Sequence, residues 1–246
     1  MVLVRPRNPL NIGAAARAMA NFGLTHLTVV DPFEPNWRAA RSAVEAEDLL
    51  ESAVVAPSME AAVAGCTLVL GTGSLTYRKP EQTVVALPAL APLVREEMAR
   101  GGRIALVFGP EKHGLTREDL SWCHHLVEIP TGARQPSMNL GQAVAVCLYE
   151  LATRALAAEA GSATEPTAAG DSKPGAAAPA SADLDLLVGV IEETMMAARY
   201  SPGHMREANR YDLRLLLRRL DLSRHDLRRV LGLFRRIHWR LRAKPE

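Results

Sequence analysis

The chain has 246 residues, 48% of them hydrophobic and 23% charged, enough for one sizeable α/β domain and a small accessory one. Only 4% are aromatic, which excludes a broad base-stacking platform. The formal net charge of +2 hides an asymmetry: residues 1–198 carry −7 and residues 199–246 carry +9, a basic tail on an acidic body that suggests a polyanionic partner.

Short β-branched runs alternate with helix-like stretches through residue 157. Val2-Leu3-Val4 reads as a strand, residues 11–22 as an Ala-rich helix ended by Gly23, and Leu27–Val30 as a strand closed by Asp31-Pro32. Ala39–Leu50 reads as helical and Val54-Val55 as a short strand, and Ser58 caps a helix ending at Gly65. Thr67–Leu70 is a strand and Leu87–Arg100 mostly helix. Ile104–Phe108 is a strand, Thr116 caps a short helix, Leu126–Ile129 is a strand, and Asn139–Ala157 is a long apolar helix. This rhythm predicts a parallel sheet flanked by helices. Residues 158–183 are mostly Ala, Gly, Ser, Thr and Pro and read as a flexible linker. Beyond it, residues 184–246 read as a small helical bundle. Its stripes are Leu184, Leu187, Val188, Ile191 and Met195, then Leu213, Leu216, Leu217 and Leu220, then Leu227, Val230, Leu231, Phe234 and Leu241, with a Ser223/Asp226 cap.

No stretch is long and apolar enough to span a membrane, and Arg5, Pro6, Arg7, Asn8 and Pro9 interrupt the apolar start, so neither a span nor a signal peptide is expected and cytoplasm is the expected compartment. Cys66, Cys123 and Cys147 are scattered and read as small buried hydrophobes, with no metal site expected.

Three clusters could carry chemistry. Asn11-Ile12-Gly13-Ala14-Ala15-Ala16-Arg17 follows the first strand, with Asn11 a candidate N-cap. Phe108-Gly109-Pro110-Glu111-Lys112-His113-Gly114-Leu115-Thr116 follows a buried strand and forms a tight loop where open α/β sheets place ligands. Ile129-Pro130 through Ser137-Met138-Asn139-Leu140-Gly141 ends a strand and opens a helix, whose first N–H groups can hold an anionic group. Each alone reads equally as a packing helix, a turn or a cap. Gly71-Thr72-Gly73-Ser74 lacks a third glycine and a following helix, which removes a dinucleotide-dependent oxidoreductase.

Together, in this order and spacing, the clusters resemble the three motifs of the SPOUT (trefoil-knotted) methyltransferases, closest to the Trm H/J-like RNA ribose 2′-O-methyltransferases and their Trm J branch. The resemblance covers nearly all of residues 2–155, and the basic helical tail resembles the C-terminal extension of that branch. It implies a sheet with a C-terminal trefoil knot, a homodimer with each active site near the interface, and S-adenosyl-L-methionine bound in the knot. The cofactor contacts it implies are Thr72, Gly73, Ser74, Gly109, Ile129, Ser137 and Met138. It implies Arg17 beside the ribose hydroxyl, as a phosphate clamp and electrostatic stabiliser or as a base, with Asn11, Glu111, Ser137 and Asn139 orienting it, the loops or the ribose. The basic tail adds phosphate contacts, with Arg210, Arg214, Arg218, Arg228 and Arg235 as candidates. The expected substrate is RNA, with a tRNA anticodon loop first; ribosomal RNA, or a catalytically idle RNA-binding protein on the same fold, are the alternatives. The loop Tyr77-Arg78-Lys79-Pro80 departs from the common pattern of the branch, which leaves the substrate open more than the reaction. No N-terminal RNA-binding domain is expected.

Overall fold

The computed structural model describes residues 1–33, 35–74, 80–162 and 178–243. Seven strands form one sheet: β1 (Val2–Val4), β2 (Thr28–Val30), β3 (Val54–Ala56), β4 (Leu68–Thr72), β5 (Thr83–Ala86), β6 (Ile104–Phe108) and β7 (His125–Glu128). Their order is β3-β2-β1-β6-β4-β7-β5, and every pairing is parallel. Parallel pairing demands crossovers, and helices on both faces supply them.

Alternate side chains of each strand serve opposite faces, so the core divides in two. Leu3, Val29, Leu70, Leu106, Phe108 and Val127 pack under α1 (Pro9–Asn21), α2 (Glu47–Glu51) and, further along the chain, α4 (Leu90–Ala99) and α6 (Leu140–Ser162). Val2, Val4, Val69, Val107 and Leu126 pack on the other face under α3 (Met59–Val63) and α5 (Arg117–Ser121). Cys123 and Cys147 are buried and Cys66 is half-buried, all three free thiols.

Several boundaries differ from the sequence reading. Helix α1 starts earlier, capped by Asn8, whose side chain accepts from the Leu10 N–H, with Pro9 at the first position; Asn11 is therefore not the cap. Residues 39–50 are not one helix. A 3₁₀ turn at Trp37–Ala39 and successive turns precede the five-residue α2, and Glu45 has a positive φ of 59°. Strand β5 joins the sheet at an edge where only Leu87–Arg100 helix was expected to follow. The expected linker is shorter at both ends, since α6 runs to Ser162 and α7 (Ser181–Ala197) begins before residue 184; residues 163–177 lie outside the described residues.

The tail comprises α7, α8 (Arg206–Arg219) and α9 (Arg224–Arg242) around Leu184, Leu187, Val188, Ile191, Leu217, Leu227 and Leu231. Leu216 and Leu220 are exposed and Leu215 is buried instead, which corrects the expected α8 stripe; Leu241 is exposed as well. The start of α7 is tied to the body, with Ser181 N–H donating to Cys66 C=O (2.8 Å) and Ala182 N–H to Ala64 C=O (3.1 Å). Among the described residues no helix is long and apolar enough to cross a membrane.

Candidate active site

The sheet order places the carboxyl ends of β1, β6, β4 and β7 side by side, and these ends carry all three motif clusters. That edge is where open parallel sheets hold ligands. Helix α1 crosses α6 closely enough that a Cβ on Gly141 would sit 2.7 Å from the Ala14 methyl. Small residues at this crossing let the first and third clusters meet.

Glu111 joins the first two clusters. Its carboxylate accepts from Arg7 N–H (3.1 Å), Asn8 N–H (3.1 Å) and the Asn11 side-chain amide (2.9 Å). Partial burial alone would raise its pKa. The hydrogen bonds from Asn11, its own backbone, Arg7 and Asn8 outweigh this and hold the carboxyl below its usual range. Asn11 then accepts from Asn139 Nδ2 (2.8 Å), and Asn139 Oδ1 caps α6 by accepting from Gly141 N–H (2.9 Å). One polar relay, Glu111–Asn11–Asn139, thus connects the first turn of α1 to loops 100 and 128 residues further along the chain. Asn11 is free for this role because Asn8 takes the cap.

The second loop is folded tightly. A Cβ on Gly109 would lie 2.2 Å from Leu115 N and 2.4 Å from Gly114 C, so only glycine fits. Gly114, at φ 63°, donates its N–H to Pro110 C=O at 2.8 Å. Thr116 and Asp119 form the capping box of α5, and Asp119 also pairs with Arg5. The segment before the first cluster is thereby clamped to the helix that follows the second.

The expected cofactor contacts fall on three neighbouring strand ends. Thr72 is buried at the end of β4 and its hydroxyl donates to Val107 C=O at 2.9 Å, leaving its side chain engaged inside the sheet. Gly73 is exposed, and a Cβ there would meet nothing within 4 Å. Ser74 and Ile129 are half-buried, as is Met138, whereas Ser137 is exposed. The loop before Asn139 is held by Thr131 Oγ1–H donating to Pro136 C=O (3.0 Å) and Gln135 N–H to Gly132 C=O (3.0 Å). Tyr77, Arg78 and Lys79 lie outside the described residues.

Arg17 is exposed on α1, with no hydrogen bond or ion pair found to it among the described residues. It shares a helix face with the exposed Leu10, seven residues earlier, and the relay does not include it.

The tail arginines divide into two sets. Arg210 pairs with the buried Glu192, which Arg206 also binds at 2.8 Å. Arg214 is buried, pairs with Glu118, and stacks 3.9 Å above the Trp122 ring. Arg218 is buried, donating to Ser181 Oγ (2.8 Å) and Asp185 Oδ1 (3.1 Å), with Trp122 also beneath it. Arg214 and Arg218 are thus buried within the tail and against α5, which corrects their reading as phosphate contacts, whereas Arg210 stays exposed beside Glu192. Arg228 and Arg235 are exposed on α9 and retain that possibility. Sequence spacing showed the arginine period on α8; the partners that bury it, Trp122 and Asp185, are distant in the chain and carried no local signal.

The SpoU rRNA Methylase family model matches residues 1–149. The tRNA (cytidine/uridine/adenosine-2′-O-)-methyltransferase TrmJ of Pseudomonas aeruginosa (strain UCBPP-PA14) is 41% identical over 160 residues, covering 65% of this chain and 62% of that relative. The tRNA (cytidine/uridine-2′-O-)-methyltransferase TrmJ of Citrobacter koseri is 33% identical over 225 residues, covering 89% of this chain and 86% of the relative. The crystal structure of TrmJ from Z. mobilis ZM4 superposes with a TM-score of 0.79 at 29% identity, covering 96% of this chain and 97% of that one. The matched body carries the relay and the glycine-constrained loop, the matched tail carries the docked helices, and the chain belongs to the SpoU rRNA methylase family, within its TrmJ branch.

Proposed function

We propose that this protein transfers a methyl group from S-adenosylmethionine to a ribose 2′-OH of tRNA. The observation that carries the reading is the Glu111–Asn11–Asn139 relay, which draws three loops together at the carboxyl edge of a parallel sheet. The similarity to TrmJ proteins named as tRNA 2′-O-methyltransferases supports ribose as acceptor and tRNA as substrate. The anticodon loop as target rests on the same resemblance. Ribosomal RNA is the second reading, favoured only by the description of the matching family.

The strand-end loops suit an elongated ligand gripped by backbone groups. Thr72 spends its hydroxyl inside the sheet, Gly73 leaves open space, and Gly109 cannot bear a side chain. Residues 72–74, Gly109, Ile129, Ser137 and Met138 would hold the cofactor there. When bound, S-adenosylmethionine supplies an electrophilic methyl, so the protein's task is placement. Arg17 clamps a phosphate and its guanidinium stabilises the forming alkoxide. Glu111, Asn11 and Asn139 fix the loops that aim the ribose, and Ser137 lies beside them on the third loop.

The reading includes a body of residues 1–157 and an RNA-binding tail of residues 184–246, with Arg228 and Arg235 meeting phosphate. The sheet order, with β4 between β6 and β7, supports a trefoil-knotted threading of the chain after β7. Exposed Leu10, Val146 and Tyr149 on α1 and α6 support a homodimer with the active site near the interface. The expected compartment is the cytoplasm.

Calorimetry with S-adenosylmethionine tests the site. Wild type binds at micromolar concentration, and Arg17→Ala binds equally while losing methyl transfer to tRNA. No binding at millimolar cofactor overturns the enzyme reading.

A further inference from the structure

Four of the aromatic rings beneath arginine guanidinium groups, among the described residues, belong to Trp37, Trp122, Phe33 and Trp239. Trp37 and Trp122 are 1% and 5% exposed and fill the core. Phe33 is 63% exposed, with the Arg7 guanidinium 4.7 Å from its ring centroid, and Arg7 is itself exposed. A phenylalanine held in water forfeits the burial that ordinarily accounts for its presence.

The location of this pair sets it apart. Phe33 lies just past the carboxyl end of β2, on the edge that carries the motif loops. Its N–H donates to Pro6 C=O at 3.2 Å, and the next residue, Arg7, donates its N–H to Glu111 at 3.1 Å. The main chain at Phe33 is therefore tied to the hub of the relay, through one backbone bond to Pro6 and the bond from Arg7 N–H to the Glu111 carboxylate. Strands about 4.8 Å apart put the end of β2 roughly 10 Å from that of β6 and roughly 14 Å from that of β4. That is the span of a nucleotide and its neighbour.

We infer that Phe33 and Arg7 form a nucleotide-stacking site beside the active centre. The base of the target nucleotide, or of its immediate neighbour, lies on the open face of Phe33, and Arg7 meets the adjoining phosphate. The inference rests on the RNA-methyltransferase reading. A single aromatic ring has a π-face for any base, so the site fixes the position of the strand with little preference for sequence. It also supplies a means of unstacking a loop nucleotide toward the methyl donor.

The test uses the full chain, S-adenosylmethionine and an unmodified tRNA transcript whose methylated position has been mapped. Phe33→Ala should lower kcat/KM for tRNA roughly tenfold or more, the scale of one lost base–aromatic stack. Cofactor affinity and sedimentation should stay as in wild type. Phe33→Tyr and Phe33→Trp should recover most of the loss, which a merely structural defect would not allow. A tRNA abasic at the target or an adjacent position should be used equally by wild type and Phe33→Ala. Phe33→Ala within twofold of wild type overturns the inference. Loss of cofactor affinity or of oligomeric mass in that variant also overturns it, by making Phe33 a structural or subunit-contact residue. A wild-type chain that methylates no RNA removes the functional reading itself. Wild-type activity with an unaffected Phe33→Ala removes only the stacking site.

Discussion

Glu111→Gln tests the relay with the smallest change in shape. The carboxylate accepts three hydrogen bonds, two at Oε1 from Asn8 N–H and Asn11 Nδ2 and one at Oε2 from Arg7 N–H. Hydrogen bonds to a charged group contribute about 1.5–3 kcal/mol each and neutral ones about 1 kcal/mol, and this half-exposed site belongs at the low end. Gln keeps two bonds in weakened form and turns an amide N–H against the Arg7 N–H. The net loss is about 2 kcal/mol, roughly a thirtyfold change in any equilibrium that needs the loops assembled. Calorimetry should show cofactor affinity reduced about ten- to thirtyfold, and methyl transfer should fall at least as far. Glu111→Ala should be no worse than Gln, because water can reach the exposed Arg7 and Asn8. The effect should depend on pH. A carboxyl whose pKa is lowered on folding contributes fully above its unfolded value, near 4.5, and loses that contribution as pH falls through the lowered folded value. Wild-type affinity should therefore decline below about pH 4.5 toward that of Glu111→Gln, and the variant should show no matching decline. Glu111→Gln binding cofactor within twofold of wild type at neutral pH would refute the relay.

Gly109→Ala should abolish cofactor binding with a loss of stability of about 1–3 kcal/mol, measured by urea unfolding, because its Cβ would strike backbone at 2.2 Å. Arg218→Ala should destabilise the tail by about 3 kcal/mol, read by urea unfolding with Trp122 fluorescence, since it strands Asp185 and leaves Ser181 without its donor. Its effect on RNA affinity should follow that unfolding and vanish at temperatures where the tail stays folded. Arg228→Gln with Arg235→Gln should weaken tRNA binding and lower the slope of log K against log salt by about 2, with cofactor affinity unchanged.

Much of the fold was legible because it is written locally. Val2-Leu3-Val4 and Ile104–Phe108 are β-branched or apolar runs between breakers, and the structure makes them neighbouring central strands. Strand β5 escaped because Thr83–Ala86 lies at a sheet edge and is mostly exposed, with Val85 its one residue packed against the core. The helix expected over 39–50 was misread for a specific reason. Ala40, Ala43 and Ala46 are buried at a spacing of three, and Ala43 and Ala46 donate to carbonyls three residues back. Tight turns with that period mimic an amphipathic helix in sequence. Gly13 explains why they are needed there, since its missing Cβ admits Ser42 and Ala43 against α1.

The site was legible as three clusters but not as a relay. Asn11 was placed as a cap because Asn is a good one; the Asn8-Pro9 pair upstream carried the stronger signal. Backbone donors such as Arg7 N–H and Asn8 N–H have no sequence signature at all. On α8, charge periodicity showed a face without showing what covers it. Arg214 and Arg218 are covered by Trp122, Glu118 and Asp185, which only the folded chain assembles.

Nucleoside mass spectrometry of an unmodified tRNA pool after incubation with the full chain and isotopically methyl-labelled S-adenosylmethionine tests the central claim most directly. Label confined to 2′-O-methylated nucleosides, and lost when the target carries 2′-deoxyribose, is the predicted result. Label on a base, or label persisting on the deoxyribose target, would contradict ribose methylation by this site.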